Sequence, residues 1–121
     1  MAQSYRQLDV YIIVKQLVKE VYKLLKRFPS EERYALCEQL RRSVISVPSN
    51  LAEGLGRYSD KEQVHFIEIA YGSLMEVESQ LDIACDLNYI TKEEFDKVDV
   101  TIEREARLLS GLRARRLTLN P

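Results

Sequence analysis

Residues 59–87 read SDKEQVHFIEIAYGSLMEVESQLDIACDL. The opening Ser59-Asp-Lys-Glu62 has the form of a capping box, in which the Ser59 hydroxyl and the Glu62 carboxylate each satisfy a free N–H at a helix start. Behind it Ile67, Ala70, Tyr71, Leu74, Val77, Leu81 and Ala84 recur at threes and fours, the period of a helix with one apolar face. Glu68, Glu76, Glu78, Asp82 and Asp86 make the same segment acidic. Gly72 and Ser73 lower its helix propensity, which predicts a close approach by a neighbouring helix there. The spacing predicts one long helix over 60–87, and its apolar stripe needs other helices to cover it.

The rest of the chain supplies three. Val10, Val14, Leu17, Val18, Val21, Leu24, Leu25 and Phe28 predict a helix over 8–28, with Lys15, Lys19, Lys23 and Lys26 on its other side. Pro29 breaks it, and Ser30 followed by Glu31 and Glu32 reads as the N-cap of a second helix over 31–53. Leu36, Leu40, Val44, Val47 and Leu51 form that helix's stripe, with Pro48 inside it. A proline there removes one donor and crowds the carbonyl of Val44, which predicts a kink or a fresh start. Ser43, Ser46 and Ser49 are placed to satisfy freed backbone groups, and Gly54 and Gly56 to end the helix.

Asn88-Tyr89 closes the third helix. Thr91-Lys-Glu-Glu94 is a second capping box, opening a helix over 92–116 with Phe95, Val98, Ile102, Ala106, Leu109 and Leu112 inward and a frayed end from Thr118. With no strand signal and no repeat, the expected fold is all-α, a single up-down-up-down four-helix bundle spanning 1–121. Tyr11, Ile12 and Ile13 widen the apolar face of the first helix beyond one stripe, which suits a second buried side made by self-association.

Composition narrows the function classes. The chain has 121 residues, 45% hydrophobic and 31% charged, enough for one domain with a core and unlike a disordered segment. Cys37 and Cys85 sit in helical apolar patterns rather than at metal spacing, which fits a reduced cytoplasmic protein, and no apolar run approaches a membrane span. The net charge of −1 conceals segregation: residues 1–50 carry +4, residues 51–100 carry −8 and residues 101–121 carry +3.

Catalytic constellations are scarce. Di-iron bundles need two Glu-x-x-His spacings, and this chain has one, Glu62-x-x-His65, with His65 its only histidine. The serines around Pro48 are read as backbone repair, and Gly54-x-Gly56 follows a helix and lacks a P-loop lysine. A non-enzyme with no cofactor and no metal is the expectation. Arginines are the more informative residues, because a planar guanidinium binds phosphates or anionic protein surfaces in a bidentate way. Arg104, Arg107, Arg113, Arg115 and Arg116 gather on the last helix and are the candidate nucleic-acid contacts, with pairing to the acidic third helix as their other role.

The order of motifs is also familiar. Phe28-Pro29-Ser-Glu-Glu32-Arg33, then Gln39-Leu40-Arg41-Arg42, then Ser46-Val-Pro48-Ser49-Asn50-Leu-Ala52-Glu53-Gly54, closely resembles the bacterial four-helix-bundle family named for proteins encoded within 23S rRNA intervening sequences. Leu17-Val-Lys-Glu-Val-Tyr22 and Ala70-Tyr-Gly72-Ser73-Leu74-Met-Glu76-Val-Glu78-Ser-Gln-Leu81 fit the same pattern, so the resemblance runs from about Leu8 to Leu112. The residues matching the motif are Arg41, Arg42, Ser46, Pro48, Asn50, Glu53, Gly54, Arg57 and Glu76, read as structural. Asn50 is expected to cap a helix restarted after Pro48, Glu53 to pair with Arg57, and Arg42 to reach Glu76 or Glu78 across the bundle.

The resemblance implies a ring-like homo-oligomer, a pentamer, in a protein associated with RNA or ribosomes. It further implies rRNA or a nucleic-acid-processing protein as partner. A related branch is the accessory protein of diversity-generating retroelements, whose members are strongly basic, whereas this chain has a pI near 5.9. The other reading the sequence leaves open is a protein-interaction scaffold that touches no nucleic acid itself.

Overall fold

The computed structural model describes residues 2–119, with side chains over 5–118. A short 3-10 helix, Ala2–Gln7, leads into four α-helices: α1 (Asp9–Leu25), α2 (Leu36–Leu55), α3 (Asp60–Asp86) and α4 (Lys92–Leu119). No strand occurs among the described residues. Each helix packs on its neighbours in sequence and α1 closes the ring on α4. Antiparallel pairing shows in the cross-links: Ser46 meets Ser73 while Ser43 meets Gln80, and Arg116 meets Gln63 while Arg113 meets Glu68.

The helix starts follow the capping chemistry of the sequence. Ser59 Oγ accepts the Glu62 N–H at 3.1 Å. At α4 the box is complete: Thr91 Oγ1 accepts the Glu94 N–H at 3.0 Å, and Glu94 Oε1 accepts the Thr91 N–H at 2.9 Å. Between α3 and α4, Asn88 takes the left-handed conformation, φ 64°, which asparagine tolerates better than most residues.

The second helix starts later than its sequence suggests. Ser30–Glu32 form a 3-10 turn instead of the first turn of α2, and the chain unwinds through Arg33 and Tyr34 before α2 begins at Leu36. Glu32 explains the displacement. One carboxylate oxygen accepts the Leu36 N–H at 3.3 Å and the other accepts the Tyr89 hydroxyl at 2.7 Å, so its side chain caps α2 from outside and ties the turn to the α3–α4 connection. The first helix likewise stops at Leu25, although Phe28 stays in the core at 8% exposure.

Pro48 does not restart the helix: α2 runs unbroken from Leu36 to Leu55. Asn50 therefore caps nothing, and its amide donates one turn back to the Ser46 carbonyl at 2.9 Å. The serines bind across the seam as well as to backbone. Ser43 lies 2.7 Å from Gln80 Oε1 and 2.8 Å from the Gln39 carbonyl, and Ser46 and Ser73 share a hydroxyl–hydroxyl bond of 2.8 Å. Buried hydroxyls satisfied in this way fix the register of α2 on α3.

The apolar stripes meet inside. Val14, Leu17 and Val21 of α1, Leu40, Val44, Val47 and Leu51 of α2, Leu74, Val77 and Leu81 of α3, and Ile102 and Leu109 of α4 are fully buried. Ile13 is buried too, at 6% exposure but apart from the main cluster, while Ile12 at 46% and Leu8 at 39% exposure remain outside. The wide apolar face read in the sequence therefore divides between the bundle interior and two outward residues.

Close approach of α2 and α3 depends on Gly54, not Gly72. A Cβ on Gly54 would lie 2.6 Å from the Phe66 Cβ, whereas a Cβ on Gly72 meets nothing within 4 Å. Gly54→Ala should therefore lower stability by about 1–3 kcal/mol as the helices are pushed apart. Gly72→Ala should raise it by up to about 1 kcal/mol through helix propensity alone. Urea denaturation of the two variants checks the pair, and a stabilising Gly54→Ala would contradict the packing.

Candidate nucleic-acid interface

The candidate arginines lie in the C-terminal half of α4, where positive charge also suits the negative end of the helix dipole. At 3.6 residues per turn, Arg104, Arg107 and Arg115 fall within about 80° of one another and away from the inward stripe of Ile102, Leu109 and Leu112. All three are exposed, and none has a carboxylate within ion-pair distance among the described residues. Exposed guanidiniums without an internal partner remain available to an outside anion.

Arg113 and Arg116 belong to a different face. Arg113 Nε donates to Glu68 on α3 at 2.6 Å, and Arg116 Nε donates to Gln63 at 2.8 Å. Arg116 is half-buried, and burial together with the neighbouring Arg115 lowers its pKa. The five candidates thus split into an outward row of three and a pair that closes the α3–α4 seam.

Several of the motif residues make contacts within the bundle. Arg57 and Glu53 pair at 2.6 Å as expected, and the Arg57 guanidinium also lies 4.9 Å from the centre of the Phe66 ring. Arg42, however, pairs with Glu38 one turn back at 3.3 Å rather than with α3. Glu76 shares an open groove with Arg42 without closing to an ion pair, because the i, i+4 carboxylate on the same helix is the nearer partner. Glu78 faces α4 instead. Arg41 makes no ion pair with any described residue. His65 is exposed and packs edge-on against Phe66, with ring centres 5.3 Å apart.

The α3–α4 seam gathers acid. Glu78, Asp99 and Glu103 bring their oxygens within 4.8 Å of one another. A hydrogen bond with Asp99, then desolvation, then the repulsion of Asp99, Glu103 and Asp82 push Glu78 up to about 7.

Glu105 is the residue the sequence reading passed over. It occupies the core stripe between Ile102 and Leu109 at 0% exposure, and Ala106, the expected inward residue, is only half-buried. Neither Glu105 oxygen has a hydrogen-bond partner, and burial alone pushes its pKa up to about 9. The spacing Val98, Ile102, Glu105, Leu109, Leu112 carries the signal, since alternating fours and threes place position 105 inside whatever its polarity.

Comparison with known proteins follows from this architecture. The family model described as 23S rRNA-intervening sequence protein matches residues 6–111. The chain belongs to that family. Among solved structures, this family member is similar to a protein described as having unknown function, from the S23 ribosomal protein family of Bacteroides thetaiotaomicron. The two are 21% identical, with 86% of this chain and 97% of that one covered at a TM-score of 0.79. At that identity the likeness establishes the four-helix fold. No curated protein matches the chain. No helix among the described residues is long and apolar enough to cross a membrane.

The buried acid gives this family member a pH signature. Folding holds the Glu105 proton that the unfolded chain releases near 4.5, so the folded state binds the extra proton between about 4.5 and about 9. Stability therefore falls as pH rises through that window. Replacing Glu105 with Leu should raise stability at pH 8 by roughly 2–4 kcal/mol and change it far less at pH 4.5. Urea midpoints from pH 4.5 to 9 measure this, and parallel pH slopes for the two proteins would contradict a buried neutral acid.

Proposed function

We propose that this protein is a non-catalytic RNA- or ribonucleoprotein-associated factor, cytoplasmic, which meets phosphates through the outward arginine row of α4. The observation that carries the reading is the exposure of Arg104, Arg107 and Arg115 without an internal carboxylate partner. The family description refers to 23S rRNA, which makes rRNA the first partner to test. Arg113 and Arg116 support the row from the seam and contribute less to binding, because each already has a partner.

One such row makes a weak site. Assembly into a ring-like homo-oligomer, with a pentamer as the leading arrangement, would repeat it, and repeated moderate sites gain by avidity what each lacks alone. Leu8 and Ile12, exposed on α1, are apolar groups that an interface between subunits would cover. A net charge of −1 is a property of the whole chain and does not forbid a local cationic row on α4.

Fluorescence anisotropy with a labelled structured RNA and a matched DNA, titrated over several salt concentrations, tests this. Binding should weaken as salt rises, and reversing the three arginines to glutamate should abolish it while the melting temperature stays within a few degrees. Each phosphate contact removed should lower the salt slope by about 0.9 on a duplex. Binding unchanged by the reversal would remove the arginine row. Absence of binding at low salt, with a partner protein retained after nuclease treatment, would make the protein-interaction scaffold the function.

A further inference from the structure

The opposite end of the bundle holds a second cationic feature, built differently from the arginine row. Where the end of α1 turns through the 3-10 segment into α2, a hollow of about 400 Å³ opens at the surface. Its floor is apolar, formed by Leu25, Phe28 and Cys37, of which Phe28 is 8% and Cys37 4% exposed. Lys26, Arg33 and Arg41 stand around it.

No carboxylate lines the hollow, and none of the three cations has an ion-pair partner among the described residues. Of the acids nearest in sequence, Glu31 is exposed on the 3-10 turn and does not line the hollow, and the other two are engaged. Glu32 accepts from the Leu36 N–H and the Tyr89 hydroxyl, and Glu38 accepts from Arg42. Burial raises the pKa of the Cys37 thiol on the floor, the charge of Arg41 opposes that shift, and Glu32 adds a smaller push upward. The delayed start of α2 creates the site: had helix begun at Glu31, Arg33 would follow the helical spiral instead of standing on the turn at the rim.

Three unpaired cations over an apolar floor select a ligand with an anionic head and an apolar body. Guanidiniums bind phosphate oxygens bidentately, and a third cation favours a dianion over a carboxylate. A volume of about 400 Å³ falls within the range of small-molecule sites. We propose that this hollow binds a small organic phosphate, with the phosphate held by Arg33, Arg41 and Lys26 and the apolar body resting on Leu25, Phe28 and Cys37. The site is independent of the RNA reading. The α1 end lies beside the start of α4, where Arg27 pairs with Glu94, whereas the arginine row occupies α4's other half.

Titration calorimetry of the full chain with AMP, phenyl phosphate, inorganic phosphate and adenosine provides the test. At least one of the two organic phosphates should bind one per chain with a Kd below about 1 mM. Inorganic phosphate and adenosine should bind at least about tenfold more weakly, because each lacks half of the match. Arg33→Ala, on the exposed turn, should weaken binding about tenfold or more without shifting the melting temperature. Arg41→Lys should weaken it less, since the charge stays and the bidentate geometry goes. Arg104→Glu should leave it unchanged, which separates this site from the α4 row. Failure of both organic phosphates to bind below about 1 mM would overturn the proposal. So would inorganic phosphate binding as tightly as the organic phosphates, or an Arg33→Ala protein that binds as the parent does.

Discussion

The contact on which the rest of the structure depends is the seam between α2 and α3. Gly54 lets the backbone of α2 come against Phe66 where any larger residue would collide. Two hydroxyl contacts farther along, Ser46 with Ser73 and Ser43 with Gln80, then fix one register out of those the apolar stripes alone would permit. Hydrophobic burial is nearly indifferent to a slide of one turn, but a satisfied buried hydroxyl is not. With α2 and α3 held, the short 4-residue connection from Gly56 to Ser59 sets their antiparallel course. The Glu32–Tyr89 bond then draws the α1–α2 turn to the α3–α4 turn, so both connections at that end are tied together.

Charge follows from that geometry. Once α3 presents Leu74, Val77 and Leu81 to the core, Glu78 has nowhere to go but the α4 seam, where it meets Asp99 and Glu103. The arginines at positions 104, 107 and 115 are left on the outer surface of α4 by the same helical phase. A chain with almost no net charge thereby carries faces of opposite sign, and its pI says little about what any one face attracts.

Much of this was legible in the sequence because it is local or periodic. The two capping boxes, the four stripes and the Glu53–Arg57 pair each involve residues within four positions of one another. What was illegible depends on partners distant in sequence. Ser30 reads as an N-cap until Tyr89 claims the carboxylate of Glu32. Asn50 reads as a cap until an unbroken helix makes it a mid-helix donor to Ser46. Arg42 was assigned to α3 by charge complementarity, and Glu38 on its own helix took the bond. Gly72 looked like the close-approach glycine because it breaks a strong helical pattern, yet it faces open space and Gly54 does that work. Glu105 is the instructive miss: a run of apolar residues names Ala106 as inward, while the strict alternation of fours and threes places position 105 in the core.

Glu105 also makes the proton a stoichiometric component of the native state. Because its carboxyl is neutral inside the bundle and ionised in the unfolded chain at pH 7, Glu105 hands close to one proton to the surrounding buffer each time a molecule unfolds, and Glu78 adds part of another. Heat measured during unfolding then contains the buffer's own enthalpy of protonation. The same protein would show different calorimetric enthalpies in phosphate and in Tris at one pH, while its free energy of unfolding stayed the same.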